Sequence, residues 1–435
     1  MKLLCLSKLK PAEERFASLA LNNSLNYFMK KQFAAASAIG MALAGSLCAQ
    51  SLFDLAPDDD EKESLPLKWS VGANLGYDNN PTPLLGNDDE SAYGQAYVGA
   101  TFLTNTPQTT LSFGTQLGVI HYFDNIDVLG NVDDTSFTAA LYLNWTHRLS
   151  ERLRLVSRNT LSYELEPDYS TGFQSQRQNG NYFRWSTDNA LGYRWSERLA
   201  TYTGIRLNGI SYDEIDYGDR DTVLAYNDFR YQLSDRTVTT LTYRHAQTTG
   251  GGAVTDSTNQ YVLAGLEHRF SPQTTGVIRA GVQIRDVDGG NSGTSPYVET
   301  SFKTQVNEQL SLKAYGRYGI EDYARALPNP NTRTYSVYSD TDSLRVGFTA
   351  NYQMSQDLAL NAGVNYALME YNDLLPGYGG EASVGEDLLN TYVGFDLKVS
   401  DNVYLNGRYN VEDLASDAGR DYDRNRFSVG VSTTF

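Results

Sequence analysis

The chain has 435 residues, 40% hydrophobic and 20% charged, with 31 Tyr, 37 Gly and only 12 Pro. Its 35 Lys and Arg against 52 Asp and Glu give a net charge of −17, which argues against nucleic acid as a partner. No apolar stretch beyond the N-terminus is long enough for a membrane helix, and the abundance of Tyr, Gly and Thr argues against disorder.

Residues 1–49 read as a targeting segment. From Met29 the chain runs MKKQFAAASAIGMALAGSLCAQS, with Lys30 and Lys31 as a positive start, Phe33 to Leu47 as a short apolar stretch and Ala49 as the last residue before cleavage. A lipoprotein reading needs a small residue before Cys48, and Leu47 stands there. Residues 1–28 would make an abnormally long n-region, so translation is expected to start at Met29. Removing 1–49 takes away six Lys/Arg and two Glu and leaves a net charge of −21. It also removes both cysteines, Cys5 and Cys48. The mature chain then crosses an oxidising compartment with no thiol to mispair, and has no disulfide scaffold, Cys nucleophile or Cys metal site.

Residues 50–66 (Asp58, Asp59, Asp60, Glu61, Glu63) read as an acidic, solvated periplasmic linker. From Leu67 onward the chain alternates with the period of two that marks strands. In LSLKAYGRYGI (310–320), Leu310, Leu312, Ala314, Gly316, Tyr318 and Ile320 share one face, opposite Lys313, Tyr315 and Arg317. LALNAGVNYAL (358–368) and VYLNGRYNV (403–411) repeat the scheme.

Tight polar connections fall at Asn105–Gln108, Ser150–Arg152, Ser196–Arg198, Ser234–Arg236, Ser271–Gln273, Asn307–Gln309, Ser355–Asp357 and Ser400–Asn402. Longer acidic loops lie between them, among them 78–91, 166–181, 322–339 and 372–387. Eight turns separate nine hairpins, which predicts 18 strands of about 11–14 residues each. Strands of that length span a bilayer only in a closed barrel, because an open edge would leave backbone groups unpaired in lipid. An even count with short turns on one side and long loops on the other is the outer-membrane pattern.

The last strand, RFSVGVSTTF, puts Phe427, Val429, Val431 and the terminal Phe435 on one face. This resembles the signal read by the barrel-assembly machinery. Two aromatic belts are expected on the lipid face. Trp69, Trp145, Trp195, Tyr231, Phe270, Tyr352 and Phe435 form the one near the short turns. Tyr77, Phe123, Tyr163, Trp185, Tyr243, Tyr318, Tyr366 and Tyr409 form the one near the long loops. The alternative is a soluble sandwich or propeller, whose strands would not pair an aromatic face with one so rich in Arg and Asn.

The polar face is expected to line the lumen. Candidate pore-lining residues are Arg154, Arg158, Arg184, Arg194, Arg206, Arg230, Arg244, Arg279, Lys313, Arg317, Arg345 and Arg408, joined by Arg269, Arg285, Lys303, Lys398 and Arg426. Fewer acids share that face: Glu164, Asp188, Asp228, Glu267, Glu299, Glu321, Asp396 and Glu412. Most acids, such as Asp213, Glu214, Asp216, Asp219 and Asp221, fall in the long loops. Two readings stand side by side: a basic tunnel favouring anions, or arginines that pair with lumen acids and fill space. The acidic loops keep the exposed surface solvated or hold divalent cations that bridge lipopolysaccharide.

An enzyme is not expected. No nucleophile or acid cluster accompanies His121, His147, His245 or His268, which read as wall residues, and Gly250, Gly251 and Gly252 lie in a loop rather than between a strand and a helix. Neither a metal nor a cofactor is implied.

The turn phrases RLSERLRL (148–155), WSERLA (195–200), LSDRTVTTLTYRH (233–245) and FSPQTTGVIRAGV (270–282) resemble an outer-membrane β-barrel porin family often associated with exopolysaccharide loci in Gram-negative bacteria. The resemblance covers about 67–435. It implies an outer-membrane location, lipid and lipopolysaccharide as surroundings, and passage of polysaccharide or small solutes. The reading is one domain, an 18-stranded all-β, up-and-down antiparallel barrel. Its expected function is passive diffusion of small hydrophilic solutes, anionic or saccharide-like. An exopolysaccharide export conduit and a non-transporting adhesive barrel are the rivals. The best candidate for a constriction is 322–339, with Pro328 and Pro330.

Overall fold

The structure is a computed structural model that describes residues 64–83, 90–124, 134–165, 181–213, 218–251, 255–321, 325–329 and 334–435. The leader, the start at Met29 and nearly all of the linker lie outside these residues. So do the tips of several long loops, Glu214 and Asp216 among them.

The first half of the chain forms β1 (Leu65–Asp78), β2 (Ser91–Asn105), β3 (Thr109–Tyr122), β4 (Thr135–Arg148), β5 (Leu153–Glu164), β6 (Tyr182–Arg194), β7 (Leu199–Tyr212), β8 (Arg220–Ser234), β9 (Thr237–Gly250) and β10 (Ser257–Ser271). The second half forms β11 (Thr274–Val287), β12 (Gly293–Gln305), β13 (Leu310–Ile320), β14 (Arg325–Asn329), β15 (Thr334–Gln353), β16 (Leu358–Leu374), β17 (Val384–Ser400), β18 (Val403–Ser416) and β19 (Tyr422–Thr434). All belong to one antiparallel sheet. β13 pairs directly with β15, so the short β14 stands outside the wall and eighteen strands close it. Closure runs from Ser70↔Thr434 to Asp78↔Arg426. It is finished by Trp69 N–H donating to the Phe435 carbonyl at 2.8 Å and Phe435 N–H to the Trp69 carbonyl at 3.0 Å. Closure removes the sheet edge and leaves no backbone row unpaired in lipid.

All eight predicted short turns join strands, and their recurrent first residue has a physical cause. Ser150 Oγ accepts from the N–H of Arg152 and Leu153 at 3.3 and 3.1 Å, and Ser196 and Ser355 repeat the geometry. Asn307 Oδ1 does the same for Gln309 and Leu310 at 2.9 and 2.8 Å. A short polar side chain thus satisfies the donors that the reversing backbone exposes.

Alternation sorts the wall into two chemistries. Val71, Leu75, Leu117, Phe137, Ile205, Leu241, Ile278, Val346 and Val429 point outward and stay exposed, Leu75 at 67%. At the short-turn end this band is bounded by exposed Trp69, Trp195, Tyr231, Phe270 and Phe435, and at the other end by Phe123, Tyr243 and Tyr318. So large an exposed apolar surface between two aromatic rims is stable only against lipid.

Inward, many tyrosines lie over a glycine of the neighbouring strand. Gly72↔Tyr97, Gly114↔Tyr142, Gly192↔Tyr202 and Gly363↔Tyr392 are direct register partners. A Cβ on any of these glycines would come within 2.5 Å of the ring. The aromatic face covers backbone that glycine leaves bare, which accounts for much of the Tyr and Gly excess. Gly281 is tighter, because its Cβ would run into the Val262 carbonyl oxygen, and backbone cannot swing away. Gly281→Ala is expected to cost about 1–3 kcal/mol through the shift it forces. The urea midpoint of the heat-modifiable folded form is the measurement.

Two expectations about length need correction. The sheet begins at Leu65 rather than Leu67, and β15, β16 and β17 run to 20, 17 and 17 residues, longer than a bilayer requires. The extra length takes all of 334–339 into β15 and shortens the 372–387 loop to 375–383. The cause is the β13–β15 hairpin, which carries its pairing past the rim through β14 and gives β16 and β17 something to pack against.

Candidate functional site

The lumen is built from alternate residues of every wall strand. Strand parity turns all twelve candidate cations to the inside, and it also places carboxylates beside many of them. On β8–β12 the charges form one chain. Arg230, fully buried, bonds Asp228 at 3.0 Å and also Glu267. Arg279 bridges Glu267 at 3.2 Å and Glu299 at 3.1 Å, and Glu299 takes a second guanidinium from Arg244 at 2.7 Å. Thr242 Oγ1 donates to Asp228 at 2.6 Å and Tyr297 Oη to Glu299 at 3.0 Å. Three arginines and three carboxylates alternate, so each charge removed from water has an opposite neighbour.

Elsewhere Arg206 pairs with Asp188 at 2.7 Å, and Tyr226 Oη donates to the same carboxylate at 2.8 Å. Glu321 holds Arg345 at 2.8 Å and Arg317 at 3.4 Å. Arg408 is buried within electrostatic reach of Asp396. Arg194 instead donates back to the turn, to the carbonyls of Ser196 and Glu197 at 3.2 and 3.5 Å. Arg154, Arg158, Arg184 and Lys313 are half-buried on the inward face. The arginines that pair with lumen acids therefore include six of the twelve candidates.

Several members escaped the sequence reading. Asp78 is bound by Arg424 and lies 3.6 Å from Arg426, whose guanidinium sits 4.3 Å from the Tyr93 ring centroid. Glu386 is bound by Arg420, by Tyr371 Oη at 2.9 Å and by Ser416 Oγ at 2.7 Å. Asp78 and Glu386 fell inside segments read as acidic loops. Extending the parity of Asn74 and Gly76 by one step, or of Asn390 by two, would have found them. Uncharged groups complete the lining: Asn74 Nδ2 donates to Gln95 at 3.2 Å, and Asn365 Nδ2 to Asn390 at 2.9 Å.

At the long-loop end the β14–β15 hairpin leans over the mouth. Leu327 and Tyr338 share a buried cluster with Met369, Tyr371, Leu388, Leu414 and Tyr422 of the inward face. Residues Ser336 to Ser339 are buried one after another, so both faces of this part of β15 are covered. Ser336 Oγ and Tyr338 Oη donate to the carbonyls of Gly379 and Glu381 at 2.5 and 3.0 Å, and Arg285 Nη1 to Asp340 at 3.2 Å. Burial raises the Asp340 carboxyl above its ordinary range, an effect that Arg285 only partly offsets.

The histidines sit in the wall. His121, His147 and His268 each bond a register-paired threonine, Thr135, Thr109 and Thr237, at 2.8, 2.7 and 2.9 Å. Among the described residues no group of three or more His, Cys, Asp or Glu could hold a metal ion.

No protein-family profile matches the chain. A stretch of 110 residues is 32% identical to the outer membrane porin protein OmpD of Salmonella typhimurium, covering 24% of this chain and 28% of OmpD. OmpD of Salmonella choleraesuis matches to the same extent. The chain thus matches little more than a quarter of the length of these relatives. Among solved structures, OccAB4 of Acinetobacter baumannii is 14% identical, with a TM-score of 0.45, over 87% of this chain and 100% of that one. OpdK of Pseudomonas aeruginosa, solved with vanillate, is 13% identical, with a TM-score of 0.46, over 85% of this chain and 99% of that one. With its lipid-facing apolar band, closed wall of paired strands and polar interior, the chain is a porin-like β-barrel of the bacterial outer membrane.

Proposed function

We propose that the barrel is a passive diffusion channel for small hydrophilic solutes, anionic or saccharide-like. The observation that carries this reading is the inward face, where guanidiniums, carboxylates, amides and tyrosine hydroxyls form a continuous polar lining inside an apolar wall. Such a lining replaces the hydration of a polar solute as it crosses, and a down-gradient path needs no cofactor. Inward Arg and Lys outnumber inward Asp and Glu, which favours anions. The acidic loops act against this only at the entrance, where salt screens them within about 8 Å. Planar-bilayer recording tests it. Wild type should conduct with anion preference, and replacing Arg317, Arg345 and Arg408 with Gln should move the reversal potential towards cations, because Glu321 and Asp396 lose their counter-charges. A cation-selective wild-type channel at both low and high salt would overturn the preference, and a non-conducting one the channel.

The narrower exopolysaccharide-export reading rests on the turn phrases, and the hairpin over the mouth weighs against a bore wide enough for a polymer. We further infer export through residues 29–49, with mature chain from about residue 50, and assembly by machinery that reads the last strand. Phe427, Val429 and Val431 face outward as a row, and Phe435 both donates to and accepts from Trp69 at the seam. Deleting Phe435 should therefore slow appearance of the heat-modifiable form in pulse-chase labelling. Unchanged kinetics would remove that role.

A further inference from the structure

The rim at the short-turn end is uneven in charge. Its charges lie in the turns and in the last three residues of the strands beside them. Arg148, Arg152 and Arg154 stand with Glu151 around the β4–β5 turn, and Arg194 and Arg198 with Glu197 around the β6–β7 turn. Arg236 stands with Asp235 at the β8–β9 turn, and Arg269 near the end of β10 completes the arc. Among the described residues this arc has an excess of four positive charges. The rest of the rim has no such excess, since Glu308, Asp357 and Asp401 stand there against Lys303 and Lys398, and Lys398 is bonded to Asp401 at 2.9 Å.

Strand parity turns Arg148, Arg154, Arg194 and Arg269 towards the lumen mouth, while the outward positions beside them hold exposed Trp195, Tyr231 and Phe270. An anion reaching the arc therefore comes from the aqueous side of this end, the periplasmic side of an outer-membrane barrel, and not from lipid. The chain itself enters at the same end. Ser64 Oγ donates to the Asn105 carbonyl at 3.3 Å and accepts from the Asn105 N–H at 2.8 Å, which fixes the start of β1 to the β2–β3 turn. Just before it, residues 54–63 carry Asp54, Asp58, Asp59, Asp60, Glu61 and Glu63 against Lys62, a net charge of −5.

We propose that the arginine arc is the docking surface of this acidic segment, residues 54–63 of the same chain, at the periplasmic mouth. The charges are opposite, and the tether is long enough. The β4–β5 turn lies between three and four strands from β1, about 15–20 Å round the wall at about 4.8 Å a strand. An extended chain covers at most about 3.3–3.6 Å per residue, so Asp58 reaches the arginines of that turn and Asp54 those of the β6–β7 turn. A tether this short holds the segment at an effective concentration of about a millimolar, so that exposed ion pairs, each worth little alone, act together. A free acidic polypeptide or a peptidoglycan carboxylate shares the chemistry and must compete with that concentration. Docking offsets the positive excess at the mouth and leaves the paired charges deeper in the lumen as they are.

The test uses the full chain in outer membranes, with Cys5 and Cys48 replaced by Ser. Under mild oxidation, Pro57→Cys/Leu149→Cys should form an intrachain disulfide at least roughly ten-fold faster than Pro57→Cys/Asn402→Cys, although the β17–β18 turn is nearer the tether. Salt at about 1 M, which screens charges beyond about 3 Å, should remove the difference. Asp58→Asn/Asp59→Asn/Asp60→Asn/Glu61→Gln should remove it too, and if that variant is not exported the salt comparison decides. The disulfide is read without any current, so its outcome is independent of whether the barrel conducts. In a conducting barrel the same four substitutions should move the reversal potential towards anions, because the arc is uncovered. Equal rates for the two cysteine pairs, a difference that survives high salt, a product of twice the chain mass in place of the intrachain one, or an unmoved reversal potential in a conducting barrel would each overturn the proposal.

Discussion

Glu267→Gln is expected to lower the stability of the folded barrel by about 3–5 kcal/mol, the usual cost of removing one partner from a buried charge pair. Glu267 is almost fully buried and is held by two guanidiniums, Arg230 and Arg279. Glutamine keeps its shape but supplies no negative charge, and the two arginines then face each other with only the outer carboxylates to balance them. Urea titration of the heat-modifiable form gives the stability. The same variant adds one positive charge to the lumen and should move the reversal potential further towards anions.

The double variant Glu267→Gln/Arg279→Gln should recover much of the loss. It leaves two balanced pairs already present in the structure, Asp228 with Arg230 and Glu299 with Arg244. The coupling between the two substitutions separates charge pairing from packing. If Glu267→Gln unfolds at the wild-type urea concentration, water reaches these charges freely and the network does not fill the lumen.

The second large effect concerns the mouth. Replacing 322–339 with a short Gly-Gly link should raise single-channel conductance by at least roughly two-fold, because pore diameter at the narrowest point sets the current. The hairpin contributes Leu327 and Tyr338 to the dry cluster over the lumen, and the 375–383 segment loses the Ser336 and Tyr338 hydroxyls that tie it down. The barrel should still assemble, since β13 pairs with β15 along Leu310↔Tyr352 to Ile320↔Asp342 without the hairpin. A milder variant, Val337→Asp, puts a charge at a fully buried position and should unseat the hairpin with a smaller rise. Unchanged conductance in both would show that the narrowest point lies deeper, among the paired arginines.

Much of this protein is written in local signals. A strand's two faces follow from its period, and a two- to four-residue turn beginning with Ser or Asn brings its own hydrogen-bond acceptor, so the wall strands, the short turns and the inward parity of Arg206, Arg230 and Arg345 are legible residue by residue. Strands with an apolar outward face and an even count then require closure, because lipid tolerates no open edge.

What local pattern could not decide is which inward groups meet. Arg244 reaches Glu299, 55 residues away and three strands round the wall, and Arg424 reaches Asp78 across 346 residues, at the seam that only closure creates. Such partners depend on stagger and curvature, which belong to the whole sheet rather than to any strand. The same holds for the hairpin. Its sequence reads as a Pro-containing loop, and it turns inward because the rim offers Leu327 a buried apolar surface assembled from β16–β19.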